Sequence, residues 1–431
     1  MNTPGYFRFP TIYDAQVTFV CEDDLWTVAA AGGVARRLTA NLGDVTYPAI
    51  SPDGALLAFT SQEEGPTEVY VMDAQGGPAE RITFLGVHST QVAGWTPDSK
   101  QVVFASAAQQ PFAGHYKLWK VAASGGLPEL LPYGPAQHVA YHASGGVLIG
   151  RHTRDPARWK RYRGGTCGQL WIDPRGKGDF RRLIELPGNL ASPMFVGDRA
   201  YFIADHEGIG NIYSCTLAGD DLQQHTAHTK FYARQASTDG KQIVYMAGGD
   251  LFVLDPESGE EPHQIDIEWR SSRPQRHRTC VASPRFLETA DLHPSSTAVA
   301  LVCRGRPFAM PAWEGPVVQH GQEDGVRYRL ASWLHDGTRL AALTDEGGEE
   351  RLTVFSANGS QKPKLLPEWD LGRTIGLYPS PVKDQLALHN HRGELILVDL
   401  EKRRHKVLDR SQHGRIRGMS WSPDGRWIAY G

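Results

Sequence analysis

One short phrase recurs along this 431-residue chain and limits its fold more than any other feature. In "SPDGALLAFTS", starting at Ser51, proline presets the first corner of a turn, aspartate can bond its own backbone, and glycine accepts a left-handed conformation. The apolar run after the turn is β-prone, so the whole reads as a turn entering a strand. Variants begin at Trp95 ("WTPDSKQVVFA"), Ser237 ("STDGKQIVYM"), Leu334 ("LHDGTRLAAL") and Trp421 ("WSPDGRWIAYG"), with a weaker one at Phe195. Each complete copy leads into another strand and a Gly-rich turn, as in "EVYVMDAQGGPAERIT" and "DLFVLDPESGEEPHQI". Four short strands in about forty residues is the spacing of a propeller blade. The predicted fold is all-β: tandem β-propellers, a complete six-bladed one followed by a truncated second.

Blades are expected over residues 11–39, 45–83, 92–132, 137–186, 191–228 and 233–268, the fourth lengthened by "RHTRDPARWKRYRGGTCG". The predicted domains are a first propeller over 1–268, a basic linker over 269–283 that opens with "WRSSRPQRHR", and the start of a second propeller over 284–431. Three and a half blades cannot close a ring and would leave an open strand edge. The expectation is therefore that this chain is the N-terminal part of a longer polypeptide, with its second propeller cut mid-blade.

A net charge of −3 gives no global attraction to nucleic acid or to an anionic membrane. No stretch approaches the roughly 18 apolar residues of a membrane span, and the first twenty residues lack the charged and apolar regions of a secretory signal. The five cysteines (Cys21, Cys167, Cys215, Cys280 and Cys303) never form a CxxC pair, which fits reduced thiols better than a disulfide frame or a zinc site. A cytoplasmic location is expected.

No catalytic constellation emerges. GxSxG, HExxH, a P-loop, a dinucleotide fingerprint and an EF-hand loop are all missing from the sequence. His389 and His391 would share a strand face at a spacing suited to a metal, but the reading preferred for them, and for His225 and His228, is solvated polar residues. No metal and no cofactor are expected. Two basic segments stand out, the linker and Arg151–Gly165. The latter interleaves Arg151, Arg154, Arg158, Lys160, Arg161 and Arg163 with Trp159 and Tyr162, a pattern suited to single-stranded nucleic acid, to a carboxylate, or simply to a solvated insertion.

Taken together, the chain resembles the N-terminal half of the tricorn protease family over essentially its full length. The resemblance rests on "VTFVCEDDLWTV" near the start, "QPF" at Gln110–Phe112, "YGPAQHV" at Tyr133, "WKRYRGGTCGQLWI" at Trp159–Ile172 and "SPMFVGDRAYFIADHEGIGNIYS" at Ser192–Ser214. It implies a six-bladed propeller, then a seven-bladed one, then helical, PDZ-like and mixed domains that carry a catalytic serine, its histidine and acidic partners beyond this chain. It further implies a homohexamer that cuts short peptides, such as proteasome products, with the propellers as filters and passages. The partners implied are oligopeptides, the later domains of the same polypeptide, and further copies of the chain, but neither nucleic acid nor membrane.

The sequence departs from the family at one point. A pair of arginines in the third-blade region of the best-known member is thought to anchor the substrate's terminal carboxylate. The matching stretch here, "RITFLGVHSTQVAGWTPD" (Arg81–Asp98), has no such pair, and His88 is its only candidate cation. Arg161 and Arg163 are the substitutes proposed from sequence. No catalytic residue is expected within the chain. The alternatives weighed are a free-standing TolB-like scaffold for protein contacts and the propeller cap of a prolyl-oligopeptidase-like enzyme.

Overall fold

The computed structural model describes residues 5–40, 42–273, 275, 281–322 and 325–431. The remainder of the expected linker, residues 274 and 276–280 with Cys280, lies outside the described residues. The chain divides into two compact units, 1–277 and 278–431. Strands dominate both, with short 3-10 turns at Pro156–Arg158 and Ser283–Phe286.

Among the described residues of the first unit, six four-stranded antiparallel sheets follow one another, each built from neighbouring strands in chain order, although the first skips Gly33–Val34. They are the blades of a propeller. Their innermost strands are Arg8–Tyr13, Thr46–Ile50, Thr90–Trp95, His138–Tyr141, Leu190–Val196 and Arg234–Thr238. The second strand of each blade is buried on both faces because neighbouring blades cover it, which is why runs such as Leu56–Ser61 and Gln101–Ser106 read as nearly unbroken apolar segments. The core is a succession of layers between blades. Val71 and Ile82 meet Trp95 and Phe104, Leu148 meets Phe202, and Ile203 meets Tyr245.

The recurring turn forms as its chemistry requires. Ser51 Oγ donates to Asp53 Oδ1 (2.6 Å), Ala55 N donates to the same oxygen (3.1 Å), and Gly54 sits at φ 75°. A Cβ at Gly54 would lie 2.2 Å from the Tyr13 ring of the preceding blade, so glycine is needed for packing as well as for conformation. The tryptophan ahead of the turn ties blades together, with Trp95 Nε1 donating to Ala49 O at 2.8 Å. In the second unit Trp421 Nε1 repeats this with Tyr378 O at 2.9 Å.

The first ring closes by several ties between its two ends. Ile267–Glu268 pairs in parallel with Gly33–Val34 on the first blade. Phe7 N donates to Gly249 O, and Phe9 N to the Gln235 side chain (2.7 Å). Trp269, placed by the sequence at the start of the linker, is instead buried against Phe7 and Trp26. Ser271 and Gln275 continue along the same blade, bonding Glu22 and Asp23.

Among its described residues the second unit holds three four-stranded sheets starting at Leu287, Tyr328 and Thr374, and a two-stranded one, Ser420–Trp421 with Ile428–Ala429. Its blades stack by the same rule, Val302 against Tyr328 and Leu343 against Leu388. The fold is therefore tandem β-propellers.

Candidate functional site

The innermost strands of all six blades of the first unit surround a central cavity of about 1290 Å³. Its lining runs from the starts of those strands (Arg8, Tyr47, Gln91, Gln137, Arg234) to the turns at their far ends (Tyr13, Ser51, Pro97, Ala143, Gly240), so it runs along the propeller axis. Most of these strands share a local device. The first, second, third, fifth and sixth each carry a bulge. Phe9, Tyr47, Ser192 and Gln235 occupy left-handed backbone there, with φ between 48° and 52°. A bulge leaves one residue out of the ladder and re-aims its side chain. In three of the four a proline comes next (Pro10, Pro48, Pro193), and proline has no N–H to leave unpaired. Phe9 and Tyr47 meet at 4.5 Å between ring centroids.

The cavity is cationic at one mouth. Its lining there holds Arg8, Arg154, Arg158 and Arg234 against Asp155, while Asp239 lies in a turn at the far end. Arg8 stands 3.8 Å from Asp23 and 3.9 Å from Asp44. Arg234 donates through Nε to Asp155 Oδ2 (2.7 Å), places its terminal nitrogens 2.6 Å from the same oxygen and 3.2 Å from the Tyr6 hydroxyl, and so is held in place. Burial, with smaller contributions from Tyr116 and Asp155, pushes the Tyr47 hydroxyl up to about 12. Burial pushes the His138 imidazole down to about 4, and its Nδ1 lies 2.8 Å from Thr153 Oγ1. The wall is thus aromatic and neutral, and the rim carries guanidinium groups, of which that of Arg234 is held in place.

Family models settle the kinship. The tricorn protease N-terminal beta propeller domain matches residues 4–260, and the tricorn protease second beta propeller domain matches residues 287–431. The chain belongs to the tricorn protease family. It is 37% identical to tricorn protease homolog 1 of Streptomyces coelicolor over 435 residues, covering 99% of this chain and 40% of that protein. It is 30% identical to the tricorn protease of Thermoplasma acidophilum, again over 99% of this chain and 40% of the relative. The crystal structure of the tricorn protease superposes with a TM-score of 0.90 at 29% identity, covering 100% of this chain and 42% of that one. The chain therefore spans about 40% of the length of these tricorn relatives.

The three residues singled out from sequence, His88, Arg161 and Arg163, do not line the cavity of this tricorn propeller. His88 is exposed on the connection between the second and third blades, where its carbonyl accepts from Thr67 Oγ1 at 3.3 Å. Arg161 and Arg163 are exposed on the fourth-blade insertion. The backbone N–H of Arg161 donates to Asp205 Oδ2 (2.7 Å), which fixes the chain there and leaves the guanidinium outside the cavity. The same insertion does reach the cavity, but through Arg154, Asp155 and Arg158.

Sequence reading also missed Arg234. The signal available was positional: Arg234 and Arg8 both open an innermost strand a few residues ahead of its turn, where a side chain faces the mouth.

His389 is buried within its strand, whereas His391 lies in the turn beyond it and its Nδ1 accepts from Arg373 N (3.0 Å). The two do not share a strand face. His225 and His228 are partly buried and bond Ser214 and the Tyr245 hydroxyl. Among the described residues no group of three His, Cys, Asp or Glu is placed to hold a metal ion. Nor is any helix there long and apolar enough to cross a membrane.

Proposed function

We propose that this chain is the substrate- and product-channelling propeller region of a tricorn-like, self-compartmentalising serine peptidase that degrades short peptides such as proteasome products. The observation that carries this reading is the axial cavity of about 1290 Å³, lined by all six blades. The catalytic and PDZ-like domains belong to the remaining length that the relatives have and this chain does not, and the assembly is a homohexamer in the cytoplasm. The boundary between the propellers falls after Gln275, because Trp269 packs inside the first ring. Arg161, Arg163 and His88 are proposed as exposed contacts for peptides outside the cavity.

The test uses the full-length protein. A cysteine replacing Ala140, which lines the cavity, is joined to a bulky thiol reagent through a disulfide. Oligopeptide turnover is expected to fall several-fold and to recover when reductant removes the adduct. Unchanged turnover with the adduct in place overturns the passage reading. Residues 1–431 alone are expected to hydrolyse no peptide, and hydrolysis that co-purifies with the chain through further columns contradicts that.

A further inference from the structure

The Arg154–Lys160 segment crosses the ring. It leaves the second strand of the fourth blade at Arg151 and forms a single 3-10 turn at Pro156–Arg158. It binds the innermost strand of the sixth blade through Asp155, with Arg234 as partner. The fifth blade lies between those two, so the segment spans part of the mouth instead of tracing its rim. Thr153, Arg154, Asp155, Pro156 and Arg158 accordingly line the cavity from above.

Both ends of the segment are built as pivots. His152 and Arg161 are non-glycine residues in left-handed backbone, at φ 55° and 56°. Such conformations are costly and persist where the surroundings hold them, and hinges absorb large backbone changes at a few residues of this kind. The chain is anchored at both ends of the segment: Thr153, just inside the first pivot, is buried and bonded to His138, and the backbone N–H of the second pivot, Arg161, is held by Asp205. Between the pivots few ties to other blades remain. They are Asn189 Nδ2 to Trp159 O (2.9 Å) and the Lys160 ammonium over the Tyr232 ring (5.4 Å), both beside the second pivot, a long contact from Arg154 to Gly114 O (3.5 Å), and the buried ring of Pro156. The strong tie is the charge-assisted pair between Asp155 and Arg234.

We propose that residues 154–160 form a lid over this mouth of the first propeller, latched shut by the Asp155–Arg234 pair. Tyr6 braces the latch by accepting from the same guanidinium. The ligand class that would release it is an anion able to compete for Arg234, such as an acidic side chain on a passing peptide. The lid's use in peptide traffic rests on the passage reading above, but the lid itself does not.

Hydrogen exchange of the backbone amides at 154–160, read out by mass spectrometry, tests the proposal. Asp155→Asn removes the charge while keeping an acceptor for Ala157 N, which Asp155 Oδ1 now caps at 3.0 Å. Exchange across the segment is expected to be at least tenfold faster in Asp155→Asn and in Arg234→Gln, and intermediate in Arg234→Lys. The fifth-blade strands 190–216 serve as the internal reference and should not change. Chymotryptic cleavage after Trp159, which is exposed on the lid, should accelerate in the same order. Exchange within twofold of the parent in both variants overturns the lid, and so does equal acceleration in the fifth blade, which would mean a loosened ring. No peptide is present in this experiment, and no lid residue is altered in the Ala140 adduct experiment, so either proposal can fail alone.

Discussion

At the scale of single residues, His138 ties pH to stability. Its imidazole is pushed by burial from 6.5 down to about 4. The folded state thus holds it neutral, while the unfolded chain takes up a proton first as pH falls. Stability from this group is complete above about pH 6.5 and is lost progressively toward pH 4. Because His138 lines the cavity and is only half-buried, the loss is about 1–2 kcal/mol. His225, His228, His320 and His389 are lowered by burial in the same direction, so His138→Gln should flatten the thermal-midpoint curve between pH 7 and 4.5 in part. An identical curve in the variant contradicts the assignment. Trp95 offers a second test: Trp95→Phe loses the bond to Ala49 O and one ring of a buried indole, at a cost of at least about 1 kcal/mol in chemical denaturation. A loss under about 0.3 kcal/mol would mean that this tryptophan does not tie the blades together.

Elements show where a sequence is legible and where it is not. The "SPDG" turns could be read directly because Ser51, Asp53, Gly54 and Leu56 satisfy one another within six residues. The apolar second strands were equally plain, since two-sided burial leaves a continuous signature. Arg161 and Arg163 belong to a recognisable basic insertion, yet their side chains lie outside the cavity while Asp155, in the same insertion, reaches in. What decided this was an acceptor on Asp205 and a guanidinium on Arg234, 44 and 79 residues away. No local pattern encodes such pairings. The left-handed bulges were hidden too, because "FRFP" and "TYPA" look like ordinary strand starts until their registers are compared. Gly32 is an element-scale test of the closure: it sits at φ 93°, and a Cβ there would lie 2.7 Å from Asp266 O. Gly32→Ala should cost about 1–3 kcal/mol, read as a lower urea midpoint. An unchanged midpoint would show that the parallel pairing contributes nothing.

Over the whole molecule, ring closure decides what can stand alone. A fragment ending at Gln275 keeps the Ile267–Glu268 pairing and Trp269, and should unfold cooperatively near the midpoint of the first unit in the longer chain. One ending at Asp266 loses both and should be markedly less stable. Trp269→Ala in the longer fragment should cost about 3–5 kcal/mol, since it empties a site between Phe7 and Trp26. Equal midpoints for the two fragments would remove Trp269 from the ring. The repeat made the propellers legible at this scale, and the tricorn family match and the structure agree on tandem propellers. The placing of Trp269 was not legible, because a basic, Pro-containing stretch reads as linker whether or not its first residue turns back into the core.

That closure also has a cost during synthesis. Because every four-stranded blade is made of strands near one another in the chain, each can assemble soon after it leaves the ribosome, but the outward face of the first blade has no neighbour until the chain has been made through Trp269. At about 5–20 residues per second the interval from Trp26 to Trp269 lasts roughly 12–50 s. Throughout it Phe7, Val17, Phe19 and Trp26 wait for Val244, Met246 and Trp269. A nascent chain stalled in that window would present an adhesive apolar surface to its neighbours on the same message.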